Sequence, residues 1–110
     1  MIRACKPASA KPAERAVGHG VAVVEGRWDV FAGGERLPVS PSAGHILHIL
    51  GGTDLPVAEG ALAERLGGVH RQTVYAGIAE LRRHLPAGLV IRNIRGQGYV
   101  LVRDANRIKP

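Results

Sequence analysis

Arginines dominate the groups in this chain that could do chemistry. Arg82 and Arg83 stand side by side, Arg71 lies upstream of them, and Arg95 sits in the run Ile94-Arg95-Gly96-Gln97-Gly98-Tyr99. A guanidinium keeps its charge at any biological pH and presents a planar fork of donors, which suits phosphates and base edges better than it suits catalysis. The surrounding charge is uneven. Residues 70–110 carry eight Lys or Arg against Glu80 and Asp104, residues 21–69 carry three against six acids, and the whole chain has a net charge of +6. A basic segment joined to an acidic body points to a polyanionic partner. A solvated basic surface without a partner would give the same composition.

The other chemistry-bearing residues do not assemble into a reactive set. The five histidines are His19, His45, His48, His70 and His84. His45 and His48 are spaced to share a helix face, but no third ligand follows at metal-binding spacing. No Ser-His-acid arrangement or paired-carboxylate signature appears, and Gly96-Gln97-Gly98 is too short for a nucleotide fingerprint. Neither an enzyme nor a metal or cofactor site is expected. Cys5 is the single cysteine, so an intrachain disulfide is excluded. That usage fits a reducing cytoplasm. No apolar run approaches a membrane span, and the first twenty residues lack the continuous apolar stretch of a secretory signal. No membrane partner is expected.

The elements that must position the arginines can be read from periodicity. Residues 1–19 are rich in Ala, Lys, Pro and Ser and read as a disordered basic arm. Order is expected over 20–103, with 104–110 a basic tail. Val21 to Val24, Trp28 to Phe31 and Glu35 to Val39 read as short antiparallel strands, with Pro38 holding the third to an edge or a strand end. Ser40-Pro41 opens a first helix, Ser as cap and Pro in the first turn. Ala43, Ile46, Leu47 and Leu50 recur along it, and Gly51-Gly52 ends it. A second helix runs from about Ala58 to Leu66. A third begins near His70 or Arg71 and reaches Leu85, with Val74, Ile78, Leu81 and Leu85 as its apolar stripe. Leu89 to Ile94 and Tyr99 to Val102 form a hairpin around the turn Arg95 to Gly98. Sheet, three helices and hairpin make an α+β winged helix-turn-helix domain.

Two stretches carry a resemblance to a known family. His70 to Leu85, HRQTVYAGIAELRRHL, and Val90 to Leu101, VIRNIRGQGYVL, resemble the effector domain of OmpR/PhoB-type response regulators. Thr73-Val74, Ile78, Leu81-Arg82-Arg83 and Leu85 match the family's helix. Ile94, Arg95-Gly96, Gly98-Tyr99 and Leu101 match its Arg-Gly-x-Gly-Tyr wing. The likeness extends over about residues 21–102. It implies a transcription regulator that reads double-stranded DNA with the third helix and clamps it with the wing. The 110 residues leave no room for the family's receiver domain, so a standalone effector domain is expected. The loop between helices two and three, long in the family and able to touch RNA polymerase, shortens to about Gly67 to Val69. Asn93 replaces the family's wing Thr. Gly77, Ala79 and Glu80 replace long polar or basic residues.

The DNA-facing candidates are therefore Arg71, Gln72 and Thr73 at the start of the third helix, where no good cap precedes them and free N–H groups could face a phosphate. Tyr75, Ala76, Gly77, Glu80, Arg82 and Arg83 follow along the helix, and Asn93, Arg95, Gly96 and Tyr99 in the wing. Gly77 implies close approach of the backbone to some surface. Glu80 repels phosphate, and a local ion pair with Arg83 is the expected solution. Arg82 and Arg83 also complement the helix dipole, though their register favours phosphate or base contact for at least one. Arg95 should project into the minor groove or onto its phosphates. The ring of Tyr99 is expected to be structural, with its hydroxyl free for a phosphate. The alternative function is an adaptor that binds RNA polymerase or another transcription regulator. The DNA-reading function is compatible with assembly as a homodimer on DNA.

Overall fold

A computed structural model describes residues 14–103 of the chain. Its elements run β1 (Glu14–Gly18), β2 (Val21–Val24), β3 (Val30–Ala32), β4 (Glu35–Arg36), α1 (Pro41–Gly51), α2 (Glu59–Arg65), α3 (Arg71–His84), β5 (Leu89–Ile94) and β6 (Gly98–Arg103). The first four strands form one antiparallel sheet in sequence order, and β5 and β6 form a hairpin. This is an α+β winged helix.

The sheet begins earlier than expected. Glu14–Gly18 pairs with β2, and Val17 is buried. The expectation of a disordered arm through residue 19 is thus overturned for residues 14–18. Residues 1–13 and 104–110 lie outside the described residues. A neighbouring strand and a residue from the far end of the domain hold β1 in place. It covers the open edge of β2, and Arg103 reaches back so that its Nε donates to the Val17 carbonyl at 2.6 Å while Nη2 donates to the Gly51 carbonyl at 2.9 Å. β2 alternates, with Val21 and Val23 buried. Trp28 is not in a strand. It takes a left-handed φ of 61° in the turn before β3 and stacks on His45, ring centroids 3.8 Å apart. The third predicted strand shrinks to Glu35–Arg36 at the sheet edge.

α1 starts as its sequence dictates. Ser40 Oγ accepts the Ala43 N–H at 3.3 Å, and Pro41 occupies the first turn. Ala43, Ile46, Leu47, Ile49 and Leu50 are all buried, so α1 is the central rod of the domain. α3 lays Val74, Gly77, Ile78 and Leu81 against it, and α2 adds Leu62. Burying an aliphatic side chain stabilises by about 1.5–3 kcal/mol, so Val74, Ile78 and Leu81 fix firmly which face of α3 is turned outward.

The wing is fastened at its root. Val57, in the segment before α2, exchanges two backbone hydrogen bonds with Tyr99, 2.8 and 2.9 Å. Gly98 permits this approach. Its φ is +126°, and a Cβ there would run into the Val57 carbonyl.

Candidate nucleic-acid interface

α3 is amphipathic in the sense the interface requires. Val74, Ile78 and Leu81 are buried, while Arg71, Gln72, Tyr75, Ala76, Ala79, Arg82 and Arg83 are exposed. Gln72, Ala76, Ala79 and Arg83 each precede a stripe residue by two positions, about 200° of helical rotation, which puts them opposite the core. Thr73 is half-buried.

The N-terminus of α3 is capped, contrary to expectation. His70 Nδ1 accepts the Gln72 N–H at 3.1 Å, and the Thr73 N–H donates to the His70 carbonyl at 2.9 Å. A neutral imidazole nitrogen is an acceptor like a cap oxygen, so His70 does the work usually given to Ser or Asp. The side chains of the first turn are also engaged. Tyr75 donates its hydroxyl to Glu59 Oε1 at 2.7 Å, and Arg71 Nε lies 3.6 Å from Glu59 Oε2.

Several predicted site residues engage the protein itself. Glu80 does not pair with Arg83. Its Oε1 accepts the backbone N–H of Ser40 at 2.9 Å, which places the carboxylate at the positive end of the α1 dipole. Gly77 is buried, and the surface it approaches is α1, where a Cβ would come within 2.7 Å of Ile46 Cδ1. Arg82 donates from Nε and Nη2 to the Ile91 carbonyl at 3.2 and 2.9 Å and so ties the end of α3 to β5. Tyr99 is buried in the wing root.

The remaining wing residues stay accessible. Arg95 and Gly96 are exposed at the hairpin tip, and Asn93 is exposed on β5. Asn93, Gly96, Gln97 and Tyr99 line an open cleft whose opposite wall is Ala58 and Glu59. Sequence reasoning passed over two residues here. Arg92 is exposed and was legible, since strand alternation with Leu89 and Ile91 inward turns it outward. Glu59 carried no local signal beyond its place in the first turn of a helix. Among the described residues, Arg83, Arg92 and Arg95 make no ion pair or hydrogen bond.

His45, His48 and His70 take structural roles, by stacking, ion-pair and cap contacts. His48 Nε2 lies 3.2 Å from both Arg15 Nε and Glu25 Oε2, and one nitrogen cannot accept from the first and donate to the second. Burial foremost, with the Arg15 charge, lowers the His48 pKa, while Glu25 opposes the shift. No helix of the described residues is long and apolar enough to cross a membrane.

This arrangement of sheet, α1–α2–α3 and wing is shared with solved structures. The DNA-binding domain of CpxR from E. coli superposes with a TM-score of 0.71 at 22% identity, covering 84% of this chain and 99% of that one. The chain has the fold of a response-regulator DNA-binding domain. A cysteine-to-serine mutant of RitR matches at TM-score 0.66 and 20% identity, over 86% of this chain and 44% of its own. A streptococcal redox sensor described as evolved from two-component response regulators matches at 0.62 and 20%, over 80% and 43%. The chain thus spans less than half of these two longer proteins. These neighbours are OmpR/PhoB-type response regulators, so the likeness read in the helix and wing motifs holds at the level of the fold. No family model and no curated protein matches the chain.

Proposed function

We propose that the protein binds double-stranded DNA and regulates transcription, presenting α3 to the major groove and the β5–β6 hairpin to the adjacent backbone or minor groove. One observation carries this reading. Arg83 at the end of α3 and Arg92 and Arg95 on the wing are exposed without a carboxylate partner among the described residues, on two elements that Arg82 ties together. Unneutralised cations at a helix end and a neighbouring hairpin tip are placed to meet phosphates on either side of a groove. The outward stripe of α3 supplies groups of base-reading type. Gln can pair with adenine, Ala can touch a thymine methyl, and Arg can pair with guanine.

Fluorescence anisotropy with a random-sequence duplex, over a salt series, tests the reading. The wild type should bind with a steep salt dependence. Arg95→Ala should weaken binding on every duplex and lower the salt slope by about 1, as expected for one phosphate contact. If Arg95 enters the minor groove instead, the loss should be larger on A·T-rich flanks, where the groove is narrow and more negative. Absence of binding to any duplex at low salt would refute the proposal and leave the protein-binding adaptor.

A further inference from the structure

Glu59 is the first residue of α2, and its two carboxylate oxygens engage two different residues of α3. Oε1 accepts the Tyr75 hydroxyl at 2.7 Å and Oε2 faces Arg71 Nε at 3.6 Å. The same residue lines the cleft shared with Asn93 and Gly96 of the wing. The carboxylate therefore sits where α2, α3 and the wing meet, inside the surface proposed to receive DNA. An Arg and a hydroxyl converging on one anionic group is also the arrangement by which side chains hold a backbone phosphate.

We infer that Glu59 is a specificity-determining residue, an internal counter-anion that withholds Arg71 and Tyr75 from the phosphates of arbitrary DNA and fixes both side chains on the outward face of α3. The inference rests on the DNA-binding proposal above. Non-specific affinity grows with each cation free to neutralise a phosphate. A cation already satisfied by a fixed carboxylate contributes little to that term, and the carboxylate itself repels passing phosphates. Base readout is untouched by this device, so the ratio of specific to non-specific binding rises. It is discrimination by a built-in repulsive element. Glu59 also suits the first turn of α2 by its favourable interaction with the helix dipole. That role alone predicts a small loss of stability from its removal and no change in how binding responds to salt or to sequence.

The test uses the full chain and Glu59→Gln, which keeps the size of the side chain and removes its charge. On a random-sequence duplex the variant should bind more tightly than wild type, with a salt slope steeper by about 0.9, the contribution of one additional phosphate. Its advantage should accordingly shrink about 3.5-fold between roughly 50 and 200 mM salt. On a duplex selected by the wild type from a random pool, the gain should be smaller, so that the specificity ratio falls. Arg71→Ala in the Glu59→Gln background should return the slope to that of Arg71→Ala alone. An absorbance titration without DNA checks the clamp itself. The hydrogen bond to Glu59, with the nearby charge, raises the Tyr75 pKa above its ordinary value, and Glu59→Gln should return one of the two tyrosines toward the ordinary range. A wild type that binds DNA while Glu59→Gln leaves slope and ratio unchanged would overturn the inference alone. Uniform weakening on every duplex would do the same, by showing a structural role. A wild type that binds no duplex would bring down the DNA proposal and this inference with it.

Discussion

Gly77→Ala puts two effects of known size in opposition. Gly77 lies in the interior of α3, where Ala is favoured over Gly by about 1 kcal/mol. Were α3 an isolated helix, the substitution would stabilise it. In the domain the added methyl would lie 2.7 Å from Ile46 Cδ1 and 3.4 Å from the Ala43 Cα on α1. Ile46 and Ala43 have no exposed surface, so neither has solvent to retreat into. Overpacking a filled core costs about 1–3 kcal/mol. The closest atom is a flexible side-chain tip, which argues for the lower half of that range. The expected net effect is destabilisation of up to about 1 kcal/mol after the propensity gain. Gly60→Ala in α2 is the control, because a Cβ there has nothing within 4 Å. It should keep the propensity gain and stabilise by a few tenths to about 1 kcal/mol.

Urea unfolding followed by circular dichroism measures the difference. With a slope of about 1 kcal/mol/M for a small domain, the two midpoints should move in opposite directions by up to about 1 M. Ile46→Val removes the Cδ1 methyl that obstructs the new side chain. It should cost about 0.5–1.5 kcal/mol in the wild type and distinctly less beside Gly77→Ala, a coupling that a double-mutant cycle reads directly. A Gly77→Ala midpoint raised as far as that of Gly60→Ala would refute the close packing of α1 on α3, and with it the orientation of the outward face.

Two further outcomes follow from other parts of the scaffold. Gly98→Ala should destabilise the domain by more than about 1 kcal/mol, since it combines a left-handed backbone with a collision at the Val57 carbonyl; a melting temperature within error of wild type would mean the wing root is not bridged to Val57. Acidification should also destabilise. Burial foremost, with the neighbouring positive charges, lowers the pKa of His45 and His48 below their ordinary 6.5. The unfolded chain then takes up protons near 6.5 while the native one does not. Stability is therefore full above that value, falls as pH drops through it, and levels off once the native rings protonate. Melting curves between about pH 7.5 and 5, with Trp28 fluorescence as the probe of the stacked His45, check the sign; a melting temperature that rises on acidification contradicts it.

What could be read in advance was the set of faces. Ser40-Pro41 marked the start of α1, the spacing Val74-Ile78-Leu81 oriented α3, and the glycines around Gln97 located the wing turn. Each of these signals is local, carried by residues within a few positions of one another. Partners were not legible, because they come from elsewhere. Glu80 has Arg83 three residues ahead of it, and a helix alone would pair them, yet its oxygen is taken by a backbone N–H forty residues away in sequence. β1, Glu-Arg-Ala-Val-Gly, contains a single β-branched residue, and it is a strand because β2 offers an edge and Arg103 reaches it from the far end of the domain. His70 gives no cap signal because cap statistics favour oxygen acceptors, yet its imidazole nitrogen meets the same need.

Those unreadable partners decide which charges remain for a ligand. From residue 70 to 103 the chain carries Arg71, Arg82, Arg83, Arg92, Arg95 and Arg103. By composition they are equivalent, and a basic segment is all they announce. In the folded domain Arg71 faces Glu59, Arg82 is bound to the Ile91 carbonyl, and Arg103 is divided between the carbonyls of Val17 and Gly51. Each of those contacts also joins elements that would otherwise be connected only by packing: α3 to α2, α3 to β5, β6 to β1 and α1. The basic segment thus splits into arginines that build the scaffold and arginines that the scaffold displays. Arg83, Arg92 and Arg95 belong to the second group, and under the proposed function their isolation from carboxylates leaves them for phosphates. Charge reversal at one of these three should weaken binding to every duplex and lower its salt slope with the fold intact, whereas loss of Arg82 or Arg103 should lower the melting temperature before it affects any ligand.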